Sequence, residues 1–271
     1  MSADDVAFLV RSPNRGAVLT ALATSAADRA ELRERVGASR VTVGRITTDL
    51  ERRGWVERTG TDYRATRAGR VVAAAYERFL ETVDTTRRLD PLLAFLPVES
   101  FEFDLTELAD AEVVTPTPTS PGRHLARLRE LFEASDEAWM VVHAVAPRVV
   151  ASSYRASRTN GLVTRGVVTP EVTEAIRADA TVRERVHEMI DRGDVVFYER
   201  PSVPVQFGVF DGTNVVSADD EAGVPRGIVV TDSPTVREWA LDRFESFSED
   251  ATPLDAARFA ADPEGEATTD G

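Results

Sequence analysis

Apolar positions in the first fifty residues recur at helical spacing in three short bursts. Within SPNRGAVLTALATS (12–25), Val18, Leu19 and Leu22 make a buried stripe. Ser12 stands at an N-cap position, and Pro13 follows at the first helical residue. Proline is tolerated there because the N–H it lacks would have no partner inside the helix. A second start lies at Asp28-Arg29-Ala30-Glu31, where an Asp and a Glu three apart can cap the helix reciprocally. Leu32 and Val36 face inward, Gly37-Ala38 break the run, and Ser39 caps a third helix. There Val43, Ile46 and Leu50 share one face at i, i+3 and i+7 until Gly54 ends it. WVERT and DYRAT then alternate around Thr59-Gly60-Thr61, which predicts a hairpin with Trp55, Val56 and Tyr63 as its apolar contacts. Three short helices followed by a hairpin spell a winged helix-turn-helix over residues 1–66.

Thr66 opens a longer helix, 67–90, with Val72, Ala75, Phe79 and Val83 as its stripe and Leu89, Leu92, Leu93, Phe95 and Leu96 beyond. Residues 67–97 are expected to connect two domains and to pair with a twofold mate, the arrangement that matches two DNA half-sites. Simple internal packing is the other reading, since the stripe is too short for a heptad run. After Pro97 strands alternate with helices. EVVT (112–115) precedes a helix from Pro121 to Ala134, and AWMVVHA (138–144) precedes one from Pro147 to Ala156. LVTRGVVT (162–169) precedes an amphipathic helix over 170–192, and DVVFYER (194–200) follows. VQFGVFDGTNVVSA (205–218) reads as a hairpin around Asp211-Gly212. RGIVVT (226–231) leads into a last helix behind Ser233-Pro234, with Val236, Ala240, Phe244 and Phe247 facing inward. The expected fold is α/β: an N-terminal winged helix-turn-helix and, over 98–248, a mixed sheet covered by helices. From 249 to 271 Pro, Gly, Ala and acids dominate, predicting a disordered acidic tail.

Composition narrows the chemistry. The chain has 271 residues, a formal charge of −14 and no cysteine, which excludes disulfides and thiolate sites. All 32 basic residues are arginine. Without lysine, phosphate-loop NTPases and Schiff-base enzymes are excluded. An arginine-only, strongly acidic composition suits a GC-rich genome and high salt, where self-repulsion is screened within about 3 Å at 1 M. The acidic MSADD start is unlike a leader peptide, and the best apolar run, 139–151, is broken by His143, Pro147 and Arg148. A cytoplasmic protein without membrane contact is expected.

The charge is divided along the chain. Residues 11–70 hold 13 Arg against 7 acids, and residues 91–271 hold 16 Arg against 33. Such a division points to a nucleic-acid-facing module joined to something else. The outer face of the third helix presents Val41, Arg45, Thr48 and Arg52, with Ser39, Arg40 and Thr42 near its start. Guanidinium forks suit guanine O6/N7 and phosphate, and methyl-bearing side chains suit thymine. Arg40 and Arg45 fit the first role, Val41, Thr42 and Thr48 the second. Arg58 and Arg64 on the hairpin are placed for phosphate or the minor groove.

From DVAFLVRSPNR through ASRVTVGRITTDLERRGWVER to LLAFLP (5–96), the chain resembles haloarchaeal winged-helix transcriptional regulators. VVTPTPTSP, GVVTP and FGVFDGTNVV give its second half a likeness to the middle domain of methanogenesis and filament regulators. The resemblance implies a sequence-specific transcription factor that binds double-stranded promoter DNA.

In α/β sheets ligands settle at the carboxyl ends of the strands. The polar residues there are Thr115, Thr117, Thr119, Ser120, His143, Thr169 and Arg200, and a hydroxyl-rich loop ahead of a helix suits an anionic group. Each threonine also reads as a plain cap, and His143 as a hydrogen-bonded core histidine. Enzymatic readings find no support: His124, His143 and His187 lack metal-ligand spacing, and no nucleophile elbow or phosphate loop occurs. No cofactor or metal is expected. The function predicted is a homodimeric DNA-binding regulator whose second domain senses a small molecule or holds the dimer. The alternative is a winged helix that docks another protein, a role for which the Arg40, Arg45 and Arg52 face is not needed.

Overall fold

The computed structural model describes residues 3–260. The chain divides into two compact units, residues 1–84 and 85–271.

The first unit contains α1 (Ala3–Val10), α2 (Pro13–Thr24), α3 (Arg29–Val36), α4 (Arg40–Arg52), the hairpin β1 (Val56–Thr59) and β2 (Asp62–Ala65), and the start of α5 (Arg67–Leu93). It is a winged helix-turn-helix preceded by α1, a helix the periodicity does not signal. The Asp28 carboxylate accepts from the N–H groups of Ala30 and Glu31 at 2.7 and 2.9 Å, and the Glu31 carboxylate accepts from Asp28 N–H at 3.1 Å. Gly37 then takes a left-handed φ of 69°, which releases the chain from α3 without the Cβ clash another residue would meet. Ser12 holds the N-cap position of α2, but its hydroxyl makes no capping bond. Val18, Leu19, Leu22, Leu32, Val43 and Ile46 pack with Trp55, Val56 and Tyr63 into one core, to which α1 adds Phe8 and Leu9.

Two glycines let α5 lie close to this core. A Cβ on Gly69 would sit 1.8 Å from the carbonyl oxygen of Trp55, and one on Gly16 would sit 2.0 Å from the Tyr76 ring. The Thr66 hydroxyl donates to Gly54 O at 2.7 Å and accepts from Gly69 N–H at 3.0 Å, so it joins the end of α4 to the start of α5.

The second unit is built on an eight-stranded mixed sheet. Its strands are β3 (Glu112–Val114), β4 (Glu137–Val142), β5 (Val163–Val168), β6 (Val195–Glu199), β7 (Phe207–Phe210), β8 (Thr213–Asp219), β9 (Pro225–Thr231) and β10 (Thr252–Leu254). Their order across the sheet is β10-β6-β5-β4-β7-β8-β9-β3. Only β4, β5 and β6 run parallel to their neighbours in that set, and the other pairings are antiparallel. Asp211, with φ 53°, turns the β7–β8 hairpin.

Helices α6 (Arg123–Ala134), α7 (Pro147–Asn160), α8 (Pro170–Ala178) and α9 (Ala180–Asp191) accompany the sheet. Their buried residues Leu131, Phe132, Val150, Val172 and Val186 pack with Phe210, Ile228, Val168 and Val195. Helix α10 (Pro234–Glu249) covers the residues that alternate with these, placing Val236, Trp239, Phe244 and Phe247 on Val141, Val167, Val209 and Val229. Leu89, Leu92 and Leu96 enter this same core. They are therefore not available for the twofold contact expected of 89–96; burial in their own chain takes them.

Two further expectations are corrected. The amphipathic run 170–192 is two helices, because the Asp179 carboxylate accepts from Thr181 and Val182 N–H at 3.0 and 3.1 Å and starts a new one. Residues 252–259 are ordered where disorder is expected from 249: β10 pairs with β6, and Phe259 is 1% exposed among Val182, Val186 and Val195. The remainder of that expected tail, 261–271, lies outside the described residues.

Candidate functional site

Ser39 positions the basic helix. Its side chain accepts from Thr42 N–H at 3.2 Å and lies 2.9 Å from the Thr42 hydroxyl, fixing the first turn of α4. Because Val43, Ile46 and Leu50 are buried, the rest of the helix turns outward: Val41 is 82% exposed, and Arg40, Arg45, Thr48 and Arg52 are exposed with it. Thr48 donates to Gly44 O at 3.0 Å. Arg52 pairs with Asp49 at 3.2 Å. Arg40 and Arg45 have no ion-pair or hydrogen-bond partner among the described residues.

The wing holds its arginines differently. Arg64 pairs across the hairpin with Glu57 at 2.7 Å, its register partner. Arg58 donates to Gly60 O at 2.9 Å and lies 5.7 Å from the Tyr63 ring centre. Both side chains are exposed, and an exposed pair is worth about 0–1 kcal/mol, so a phosphate can displace it.

The seven residues expected at the sheet's carboxyl ends all lie at that end but do not converge. Thr117 and Thr119 are 3.4 Å apart, and Thr117 accepts from Ser120 N–H at 3.0 Å, closing a small turn on itself. Thr115 directly follows β3. His143 lies 3.1 Å from the Asp219 carboxylate, Thr169 is buried ahead of α8, and Arg200 stacks 4.5 Å from the centre of the Phe247 ring. An anion at His143 would meet the Asp219 carboxylate, so this position is poorly suited to one.

A cavity of about 190 Å³ lies between this sheet and α6, α7 and α9, and none of those seven residues lines it. Its wall is almost wholly apolar, with His124, Ser153, Thr164, Gln206 and Ser217 as the polar exceptions. Four of these are engaged. The Ser153 and Thr164 hydroxyls are 3.4 Å apart, Ser217 donates to Asp219 at 2.6 Å, and the Gln206 carbonyl accepts from His143 and Ala144 N–H at 3.2 Å each. His124 is 8% exposed and makes no hydrogen bond among the described residues; its Nδ1 is buried without a partner. Burial lowers its pKa, which keeps the ring neutral. His124, Gln206 and Ser217 are not recognisable as wall residues from sequence. The available signal was the pair of glycines inside strands, Gly166 and Gly208, since glycine mid-strand marks a bulge or a close approach.

Among the described residues, no helix is long and apolar enough to cross a membrane, and no three His, Cys, Asp or Glu side chains are grouped to hold a metal ion. Residues 3–88 match the HVO_A0261 N-terminal domain, and residues 121–250 match the middle domain of the methanogenesis regulatory protein FilR1. No curated protein matches the chain. Among solved structures, the archaeal chromatin protein TrmBL2, described as showing a novel mode of DNA binding, aligns with 93% of this chain and 100% of its own at 15% identity and a TM-score of 0.43. Nuc of Salmonella typhimurium, a phospholipase D family member, aligns with 54% of this chain and 99% of its own at 11% identity and a TM-score of 0.42. NucT from Helicobacter pylori aligns with 53% and 98% at 8% identity and a TM-score of 0.43. At these scores the three likenesses bear on neither mechanism nor partner. The chain thus joins a winged helix-turn-helix segment similar to the HVO_A0261 N-terminal domain to a segment similar to the FilR1 middle domain.

Proposed function

We propose that the protein is a transcriptional regulator that binds double-stranded DNA through α4 and the β1–β2 wing. One observation carries the reading: the exposed face of α4 holds two arginines, Arg40 and Arg45, whose side chains have no ion-pair or hydrogen-bond partner among the described residues. A guanidinium left free at the start and middle of a capped, groove-sized helix is poised for bidentate contact with guanine and phosphate. Ser39 orders the first turn, Val41, Thr42 and Thr48 offer methyl groups to thymine, and Arg52, Arg58 and Arg64 reach the flanking backbone. A regulator domain at 121–250 supports the same conclusion, and no catalytic role is assigned.

The finer reading is that the protein works as a cytoplasmic homodimer and that the α/β unit senses a small molecule. Val71, Phe79 and Leu80 on α5, 67, 53 and 41% exposed, offer the apolar strip for a twofold contact. Genome-wide occupancy mapping followed by titration of the recovered duplex tests the function. The wild-type chain should prefer that duplex to random DNA, and an Arg40→Ala/Arg45→Ala variant should lose the preference. Full retention by the folded variant would favour the protein-docking alternative.

A further inference from the structure

Along the floor of the cavity in the α/β unit runs a row of residues across the sheet. Met140 is flanked in register by Gly166 on β5 and Gly208 on β7, and these pair in turn with Phe197 and Val215. Two positions in five carry no side chain on the face that α6 and α7 cover. Phe197 leans over Gly166, where a Cβ would meet its ring at 2.7 Å, and Phe210 leans over Gly208, where the distance would be 2.9 Å; Gly208 nevertheless lines the cavity. Above this row an unfilled volume of about 190 Å³ remains, and unfilled volume lowers stability unless something occupies it.

We infer that this cavity is a binding site for a small uncharged ring compound bearing one hydroxyl, of the phenol class, held by apolar contact and by a hydrogen bond from the hydroxyl to the imidazole of His124. Three features select that chemistry. The volume, about 190 Å³, is slightly larger than the ~150 Å³ at which an engineered apolar cavity takes up benzene. The wall contains no Asp, Glu or Arg, so an ion would be buried without a partner. Among the wall's polar side chains, His124 alone makes no hydrogen bond to the described residues, so it is the one polar wall group not already engaged. Because Nδ1 is fully enclosed, the ligand hydroxyl donates its hydrogen bond to Nε2 of the neutral imidazole, while the ligand ring touches Met140 and the aliphatic wall. The half-buried rim of Ala144, Val145 and Pro225 at the carboxyl end of the sheet gives the entry route.

This inference rests on reading the α/β unit as a sensor and is tested without DNA, so its failure leaves the DNA-binding assignment to its own titration. The full chain is titrated with phenol, benzene and benzoate, following ligand NMR signals and thermal unfolding. Phenol should bind and raise the unfolding midpoint, benzene should bind about tenfold more weakly, and benzoate should not bind. His124→Phe should bring phenol down to the benzene level while benzene still binds. Val149→Trp, which fills the cavity from α7, should abolish both. Binding of benzoate equal to phenol, no binding by any of the three, or a phenol preference that survives His124→Phe in a folded protein would overturn the inference.

Discussion

Arg45 and Arg52 lie seven residues apart on the same exposed helix face, yet among the described residues only Arg52 has an ion-pair partner, Asp49 at 3.2 Å. The difference decides what each can do in a groove. Arg45 needs only to shed water to reach a base edge, so Arg45→Ala should cost about 1–3 kcal/mol on the operator and relax preference at one base pair. Equal losses on operator and random duplex would make it a phosphate contact instead. His124 allows a pH test at the same scale. Burial holds its pKa below the ordinary 6.5, so the fold favours the neutral ring. That contribution to stability is complete above about pH 6.5 and is lost as pH falls through the folded value. The wild-type midpoint should therefore decline between about pH 7 and 5 by more than that of His124→Phe. Superimposable profiles would show that the imidazole is not held neutral. At this scale the sequence was legible for α4, whose outward residues follow from the Val43/Ile46/Leu50 period. It was silent on His124, whose burial depends on residues distant from it in the sequence.

At the scale of elements, α5 is held against the winged core by two glycines that admit close backbone approach. Gly69→Ala would drive a Cβ into the Trp55 carbonyl, and backbone cannot yield as a side-chain tip can. It should lower stability by about 1–3 kcal/mol, read as an earlier unfolding midpoint. Gly37→Ala offers a comparison, being strained only by its φ of 69° with nothing within 4 Å. Phe79→Glu should shift the protein toward monomer in light scattering if the exposed strip of α5 is the twofold seam, and a folded variant that stays dimeric would place the interface elsewhere. Most elements could be read from periodicity and caps, as Asp28-Glu31 and the Asp211-Gly212 hairpin show. Those that could not share a cause: their order comes from distant partners. Residues 252–254 are extended because β6 offers an edge, and Phe259 is buried by α9, neither of which a Pro- and acid-rich segment signals. The leucines at 89–96 announce burial but not which core receives them.

For the whole molecule, charge is divided so that the proposed contact with a polyanion falls to the first unit. Residues 11–70 carry 13 Arg against 7 acids, while 91–271 carry 16 against 33. Each neutralised phosphate releases a counter-ion with a log–log slope of about −0.9, a driving force that shrinks in concentrated salt. Directed guanidinium hydrogen bonds then carry more of the binding, and arginine, planar and less strongly hydrated than an ammonium, suits them. The acidic unit repels DNA wherever salt is low enough for its field to extend. The most direct test is a fluorescence titration of the full chain and of residues 1–84, which keep their own core and exclude Leu89, Leu92 and Leu96, against operator and random duplexes across a salt series. The fragment should still prefer the operator and, at low salt, should bind random DNA more tightly than the full chain. A folded fragment that binds neither duplex would contradict the assignment of α4 and its wing as the DNA-binding surface.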